Sequence, residues 1–197
     1  MTRDNIINTA LRLFLLRGYK SVSLTDIARE AGITKGAIYH YFSSKEDMLK
    51  VAVEYLFGHI KAKMITLFST GKNLDEILQM VVVEQVVEGY LDEVFGIAKD
   101  ANRTNLDNFA FEVVRQFPDT LQRIYSDQSE ICAAIRNCLQ REMKNGKIRA
   151  DLDIDALVTI VFTMAIGHKS AVVRYEDKHH REKVLETLCK MVFAANA

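Results

Sequence analysis

Tryptophan is absent from the 197 residues, proline occurs once and glycine nine times. So little turn chemistry argues against a β-sandwich, a collagen-like repeat or a glycine-rich linker protein, all of which need Gly or Pro at their bends. Net charge is missing as well, with 26 basic residues against 26 acidic ones. That excludes a wholly basic nucleic-acid binder but leaves room for a locally basic one. Cysteine is scarce. Cys132, Cys138 and Cys189 are odd in number and fit no metal-ligand spacing. Six residues of helix put Cys132 and Cys138 about 9 Å apart along the axis, beyond the ~7 Å between Cα atoms that a disulfide tolerates. Reduced, buried thiols in the cytoplasm are therefore expected. The longest apolar run, near 156–166, ends at Gly167, His168 and Lys169 and is too short for a bilayer. The N-terminus shows no apolar run behind a basic stretch, so neither a leader nor a membrane partner is expected.

What is there reads as helix. The chain is 49% hydrophobic and 26% charged, which fits a globular protein. Its length suits one large domain or two small ones at about 100–200 residues each. Residues 3–17 put Ile6, Ile7, Ala10, Leu11 and Phe14 on one stripe before Gly18. Ser23 and Asp26 make a capping box for a helix over 24–31, ended by Gly32. Thr34 caps residues 35–41. Ser43 and Glu46 make a second box opening a helix over 44–67. Strong apolar periodicity predicts one helix from Leu74 to about Ile97, another over 106–117 and, beyond Pro118, a long one over 119–145 ending at Gly146. Asp153 caps a very apolar helix over 154–173, and a last helix covers about 178–194. No strand, repeat or low-complexity tract is expected. The fold is all-α, with about nine helices.

The neutral total hides an asymmetry. Residues 1–50 hold Arg3, Arg12, Arg17, Lys20, Arg29, Lys35, Lys45 and Lys50 against Asp4, Asp26, Glu30, Glu46 and Asp47, an excess of three positive charges. The remainder carries the opposite excess. A basic head on an acidic body suits a head that meets a polyanion.

The informative segment is SLTDIAREAGITKGAIYHYF, residues 23–42. Two short helices flank a tight turn at Gly32, where a positive φ is cheap only for glycine. Ala28 is small where the helices cross, and Ile27, Ala31, Ile33, Ile38 and Phe42 supply the shared core. This is a helix-turn-helix by spacing, its second helix free to enter a major groove. On that helix Gly36, Ala37 and His40 point away from Ile38 and Phe42, with Tyr39 and Tyr41 flanking the apolar stripe. Lys35 sits at the helix N-terminus, where backbone N–H groups already favour phosphate. Gly36 lets the backbone come close, and Lys45 can reach a second phosphate.

Residues 6–50, including ALRLF, Gly18-Tyr19, SLTDIAREAG, TKGAIYHYF and SKEDML, resemble the DNA-binding head of TetR-family transcriptional regulators. The resemblance covers about a quarter of the chain. It implies a three-helix DNA-binding domain at 1–46 and a larger helical ligand-binding and dimerisation domain at 47–197. It also implies a homodimer on palindromic double-stranded DNA, and release when a small-molecule effector binds. By position, Thr25, Lys35, Gly36, Tyr39, His40, Tyr41 and Lys45 would meet DNA, with Tyr39 and Lys45 on phosphates and Thr25 and His40 nearer bases. Val22 departs from the family pattern, where a Thr is common.

The body carries no family signature, only composition. Phe57, Met64, Phe68, Met80, Tyr90, Phe95, Phe109, Phe111, Tyr125, Phe162, Met164 and His168 are candidates to line a pocket for a mostly hydrophobic effector, or else are core packing. The last two helices are small or apolar at Val161, Phe162, Ala165, Leu188 and Val192, which suits either an intermolecular four-helix seam or the intramolecular core. His179 and His180 diverge by 100° on a helix and do not converge on one ion, so no metal is expected. No cofactor is expected either. No Ser–His–Asp order or Gly-rich phosphate loop appears, and acidic pairs such as Glu84 and Glu88 suit a solvated face, so an enzyme is disfavoured. Three readings remain, in this order: a ligand-responsive DNA-binding repressor, a constitutive DNA-binding adaptor whose body docks a protein partner, and a helical enzyme or carrier that uses the cavity.

Overall fold

The structure, a computed structural model, describes residues 3–96, 109, 112–167 and 177–193. Its helices are α1 (Arg3–Arg17), α2 (Leu24–Glu30), α3 (Lys35–Tyr41), α4 (Lys45–Ser69), α5 (Leu74–Leu78), α6 (Val86–Phe95), α7 (Pro118–Lys144), α8 (Ile154–Gly167) and α9 (Lys178–Val192), and residues 112–116 are helical besides. Among the described residues there is no strand. The one β-type contact is an isolated antiparallel bridge between Ile148 and Phe193. The fold is all-α, as the sequence leads one to expect. Residues 97–108 and 168–173, the ends of three expected helices, lie outside the described residues.

The chain divides into two compact units, Met1–Ile60 with Glu88–Ser126 and Lys61–Val87 with Asp127–Ala197. Residue 46, the expected end of the head, falls in the first turn of the continuous helix α4.

In the first unit α1 packs on α2 and α2 on α3. Ile6, Ile7, Ala10, Leu11 and Phe14 of α1 are buried with Ile27 and Ala28 of α2, Ile38 of α3, Phe42, and Met48, Leu49, Ala52 and Val53 of α4. The starts of α2, α3 and α4 are each capped. The Ser23 hydroxyl accepts from the Asp26 N–H at 3.1 Å, and the Asp26 carboxylate accepts from the Ser23 N–H at 3.0 Å, closing the expected capping box. The Thr34 hydroxyl accepts from the Ala37 N–H at 3.2 Å. Helix α4 differs by one residue from expectation. Ser44, not Ser43, caps it, accepting from the Asp47 N–H at 3.0 Å, while the Asp47 carboxylate accepts from the Ser43 N–H at 2.9 Å. Two adjacent serines followed by Glu46 and Asp47 offer two overlapping S-x-x-acid frames, and the second one forms. Gly32, at φ +66°, lets the Ile33 N–H reach the Ala28 carbonyl at 2.9 Å and so turns the chain from α2 toward α3.

In the second unit Met64, Leu67 and Phe68 of α4, Ile131, Ile135, Cys138 and Leu139 of α7, Leu157, Val158, Val161 and Ala165 of α8, and Leu185, Leu188 and Val192 of α9 are all buried. Here the expected helix over 74–97 is broken. After α5, residues Gln79–Val83 widen into a π-turn, Glu84 leaves the helix and Gln85 takes φ +54°. The widening has a packing reason. Val81, Val82 and Val83 are all buried, whereas in a regular helix three consecutive residues spread over 200° of the surface. Arg181 of α9 donates its Nε–H to the Val83 carbonyl at 3.2 Å, and α9 packs along this segment. Pro118 opens α7 rather than merely ending what precedes it. At the first helical position its missing N–H costs nothing.

Candidate nucleic-acid interface

Helix α3 is seven residues long and buries only Ile38. Its other surface is open: Lys35, Gly36, Tyr39, His40 and Tyr41 are exposed, and so is Thr25 on α2. Tyr39 keeps 51% of its surface and Tyr41 43%, large values for aromatic residues that could have joined the core. A Cβ on Gly36 would meet nothing closer than the Thr34 hydroxyl at 3.8 Å, so no contact inside the protein requires glycine there. The unit thus presents a short helix with one inward side chain and a polar, aromatic outward face.

Six of the eight cations in residues 1–50 fall into two groups. Arg12 pairs with Glu30, Lys20 with Glu112 at 3.7 Å, and Arg29 with Asp26 at 2.7 Å. Lys35 and Lys45 instead lie over rings. Lys35 Nζ is 5.8 Å from the Tyr39 ring centroid and Lys45 Nζ 4.1 Å from that of Tyr19. Lys45 is less open than expected. It is half-buried, and burial pulls its ammonium below the usual lysine range, with Glu46 opposing. Tyr19 is buried, edge-on to Phe14 at 5.3 Å, with its hydroxyl 3.3 Å from the Glu46 carboxylate. Burial, then the Glu46 charge, push its phenol up to about 12, so it stays a neutral platform. Arg3 was not singled out in the sequence, because no periodicity or motif marks it. Its guanidinium lies 5.5 Å over the Phe42 ring.

The twelve pocket candidates are divided between the two units. Of those in the first unit, Phe109 stacks on Phe14 at 6.5 Å, and Tyr125 stands 55% exposed. Phe57 is half-buried, and Phe95 is buried against Tyr55 and His59. Tyr90 meets the same cluster, its hydroxyl 2.6 Å from His59 Nδ1. Of those in the second unit, Met64 and Phe68 are fully buried core, while Met80, Phe162 and Met164 are half-buried. Phe111 and His168 lie outside the described residues. A cleft of about 250 Å³ in the first unit is floored by Phe14, Tyr19 and Phe109 and rimmed by Arg17, Lys20 and Glu112; of the ten described candidates only Phe109 reaches it.

The five seam candidates lie on α8 and α9 of the second unit. Val161, Ala165, Leu188 and Val192 are buried within this one chain, at 2%, 2%, 7% and 4% exposure, and Phe162 is half-buried. The first four are part of the core of this one chain. The apolar side chains that α8 and α9 turn outward are Ile160, 41% exposed, and Met191, 59% exposed. Among the described residues, no group of three or more His, Cys, Asp and Glu side chains could hold a metal ion, and the Asp177 carboxylate serves as the N-cap of α9, accepting from the His179 N–H at 3.0 Å. No helix among them is long and apolar enough to cross a membrane.

A short helix with an open face, presented by a capped two-helix frame beside lysines that make no ion pair with a described carboxylate, is a helix-turn-helix. The comparisons agree. Residues 6–52 match the model for bacterial regulatory proteins of the tetR family. YerO, a helix-turn-helix regulator of Bacillus subtilis, is 30% identical over 78% of this chain and 52% of its own length. The chain thus spans about half the length of that relative. The helix-turn-helix repressor KstR2 of Mycolicibacterium smegmatis is 28% identical over 81% of this chain and 73% of its own. Escherichia coli NemR in its reduced form shares the fold over the whole of both chains, with a TM-score of 0.73 at 18% identity. Over residues 6–52 the chain is thus similar to the bacterial regulatory proteins of the tetR family, and in fold it resembles solved helical regulators.

Proposed function

We propose that this protein is a dimeric repressor that acts in the cytoplasm, holds a palindromic operator and leaves it when a small, mostly hydrophobic effector binds the helical body. The observation that carries the reading is α3, which exposes Lys35, Gly36, Tyr39, His40 and Tyr41 while burying Ile38 alone. A helix with that face gains little from the protein core and is available to base edges and phosphates. In this reading Tyr39, Lys35 and Lys45 hold the DNA backbone, and Thr25 and His40 approach the bases. Gly36 lets the helix backbone close on the groove. Residues 1–46 are the head and 47–197 the body. Ile160 and Met191 belong to the surface where two copies meet. The effector meets the body at the ring cluster of Tyr55, His59, Tyr90 and Phe95, where apolar walls surround one hydrogen-bonded pair. Release follows if the effector prefers a body conformation whose heads no longer match the half-sites.

The test is selection of bound duplexes from a random DNA library at moderate salt. The expected result is an enriched palindrome with half-sites about one helical turn apart, or somewhat more. Retention without a consensus would mean binding by charge alone, and would favour a constitutive adaptor. No retention, also after unfolding and refolding to strip any bound small molecule, would overturn the reading.

A further inference from the structure

Of the eight basic side chains in residues 1–50, Arg12, Lys20 and Arg29 are neutralised by described carboxylates, and Arg3, Arg17, Lys35, Lys45 and Lys50 make no ion pair with one. Three of these five rest on aromatic rings: Lys35 on Tyr39, Lys45 on Tyr19 and Arg3 on Phe42. A ring carries no net charge. It orients a cation without cancelling it, so the charge stays available to an anion. An ion pair does the opposite.

Arg3 is the unexpected member. It is exposed in the first turn of α1, and Phe42 is the residue that ends α3. From Phe42 a line of rings leads back along α3, to Tyr41 at 6.4 Å and on to His40 at 5.3 Å. Arg3 therefore stands at the C-terminal end of the open helix, and Lys35 at its N-terminal end. Seven helical residues rise about 10 Å, and a B-DNA major groove is about 12 Å wide between its phosphate walls. Charges at the two ends of such a helix match the two walls. We propose that Arg3 is a DNA-backbone ligand, a ring-seated phosphate contact at the opposite end of α3 from Lys35. The proposal rests on the reading of α3 as the DNA-binding helix.

The competing role for Arg3 is a cover over Phe42, which its aliphatic stem could supply without charge. Arg3→Met keeps a flexible apolar chain over the ring and removes the cation, and Arg3→Lys keeps a cation. Arg17→Ala, which removes a guanidinium at the cleft rather than over α3, controls for head charge in general. The measurement is binding of a fluorescently labelled mixed-sequence duplex across a salt series. The expected result is a slope of log affinity against log salt that loses about 0.9 in Arg3→Met, and is kept by Arg3→Lys and Arg17→Ala. Should Arg3→Met fail to fold, Arg3→Gln carries the same test. An unchanged slope in the uncharged variant would make Arg3 a ring cover only, and an equal loss in Arg17→Ala would reduce it to diffuse charge; either overturns the proposal. A parent protein that binds no duplex at any salt would overturn the DNA-binding reading itself.

Discussion

A lysine partly withdrawn from water has less hydration to lose on meeting phosphate, and Lys45 is in that position over Tyr19. Lys45→Ala is expected to weaken DNA binding at every sequence and to lower the salt slope by about one. Lys45→Arg should restore most of it. Filter binding across salt checks both, and equal slopes for Lys45→Ala and the parent would remove Lys45 from the interface. Ser23 tests the frame that holds α3. Loss of an N-cap hydroxyl costs about 1 kcal/mol, so Ser23→Ala should lower stability by roughly that amount in chemical denaturation. The gap depends on pH. Hydrogen bonds from the Ser23 hydroxyl and backbone N–H hold the Asp26 carboxyl below the usual carboxylate range. The part of the stability that flows from this is complete above the ordinary carboxylate pKa and is lost as pH falls through the lower folded value. The gap between parent and Ser23→Ala should therefore narrow in acid. A gap of constant size from neutral pH down into strong acid would contradict the link.

At the scale of elements, the helix-turn-helix was legible because its signals are local. Ser23 and Asp26, Thr34 before α3 and Gly32 after α2 each act within four residues of themselves. Two adjacent serines made the start of α4 readable only to within one residue. The break between α5 and α6 was not legible, since Leu78, Val81, Val82, Val86 and Val87 keep an apolar pattern that suits a continuous helix, and glutamine is no usual marker of a positive φ. What decides it is tertiary: three valines buried at once, with α9 packed along the segment. The backbone at Gln85 can be tested directly. Gln85→Gly and Gln85→Ala lose the same amide, but only alanine keeps the left-handed penalty of roughly 1–2 kcal/mol. The glycine variant should be the more stable by about 1 kcal/mol, reversing the order that helix propensity dictates. Thermal unfolding of the pair would decide, and the ordinary order would mean that this backbone is not strained. Arg3 was hidden for a similar reason, because its partner Phe42 lies thirty-nine positions away and no spacing rule connects them.

For the whole molecule, the apolar count of the last two helices pointed to a seam, and the structure spends most of those residues inside one chain. Val161, Ala165, Leu188 and Val192 could not serve a partner without leaving the core. The surface that remains is marked by Ile160 and Met191. A double change of Ile160→Glu and Met191→Glu is expected to yield a folded monomer in analytical ultracentrifugation, with unaltered helical content and weaker operator binding. Val161→Glu should instead unfold the chain, since it buries a charge without a partner. If the double variant sediments as the parent does, the copies meet elsewhere.

The ring-seated cations also have a thermodynamic consequence. A long basic side chain loses up to about 2 kcal/mol of rotamer entropy when it is fixed on a ligand. Arg3, Lys35 and Lys45 lose part of that freedom on folding, before any DNA is present. In a dimer the saving is doubled. Removal of the rings, by Tyr19→Leu or Tyr39→Leu, would leave every charge in place and yet make association more entropically opposed, a difference that titration calorimetry recovers by subtracting the measured heat from the binding free energy.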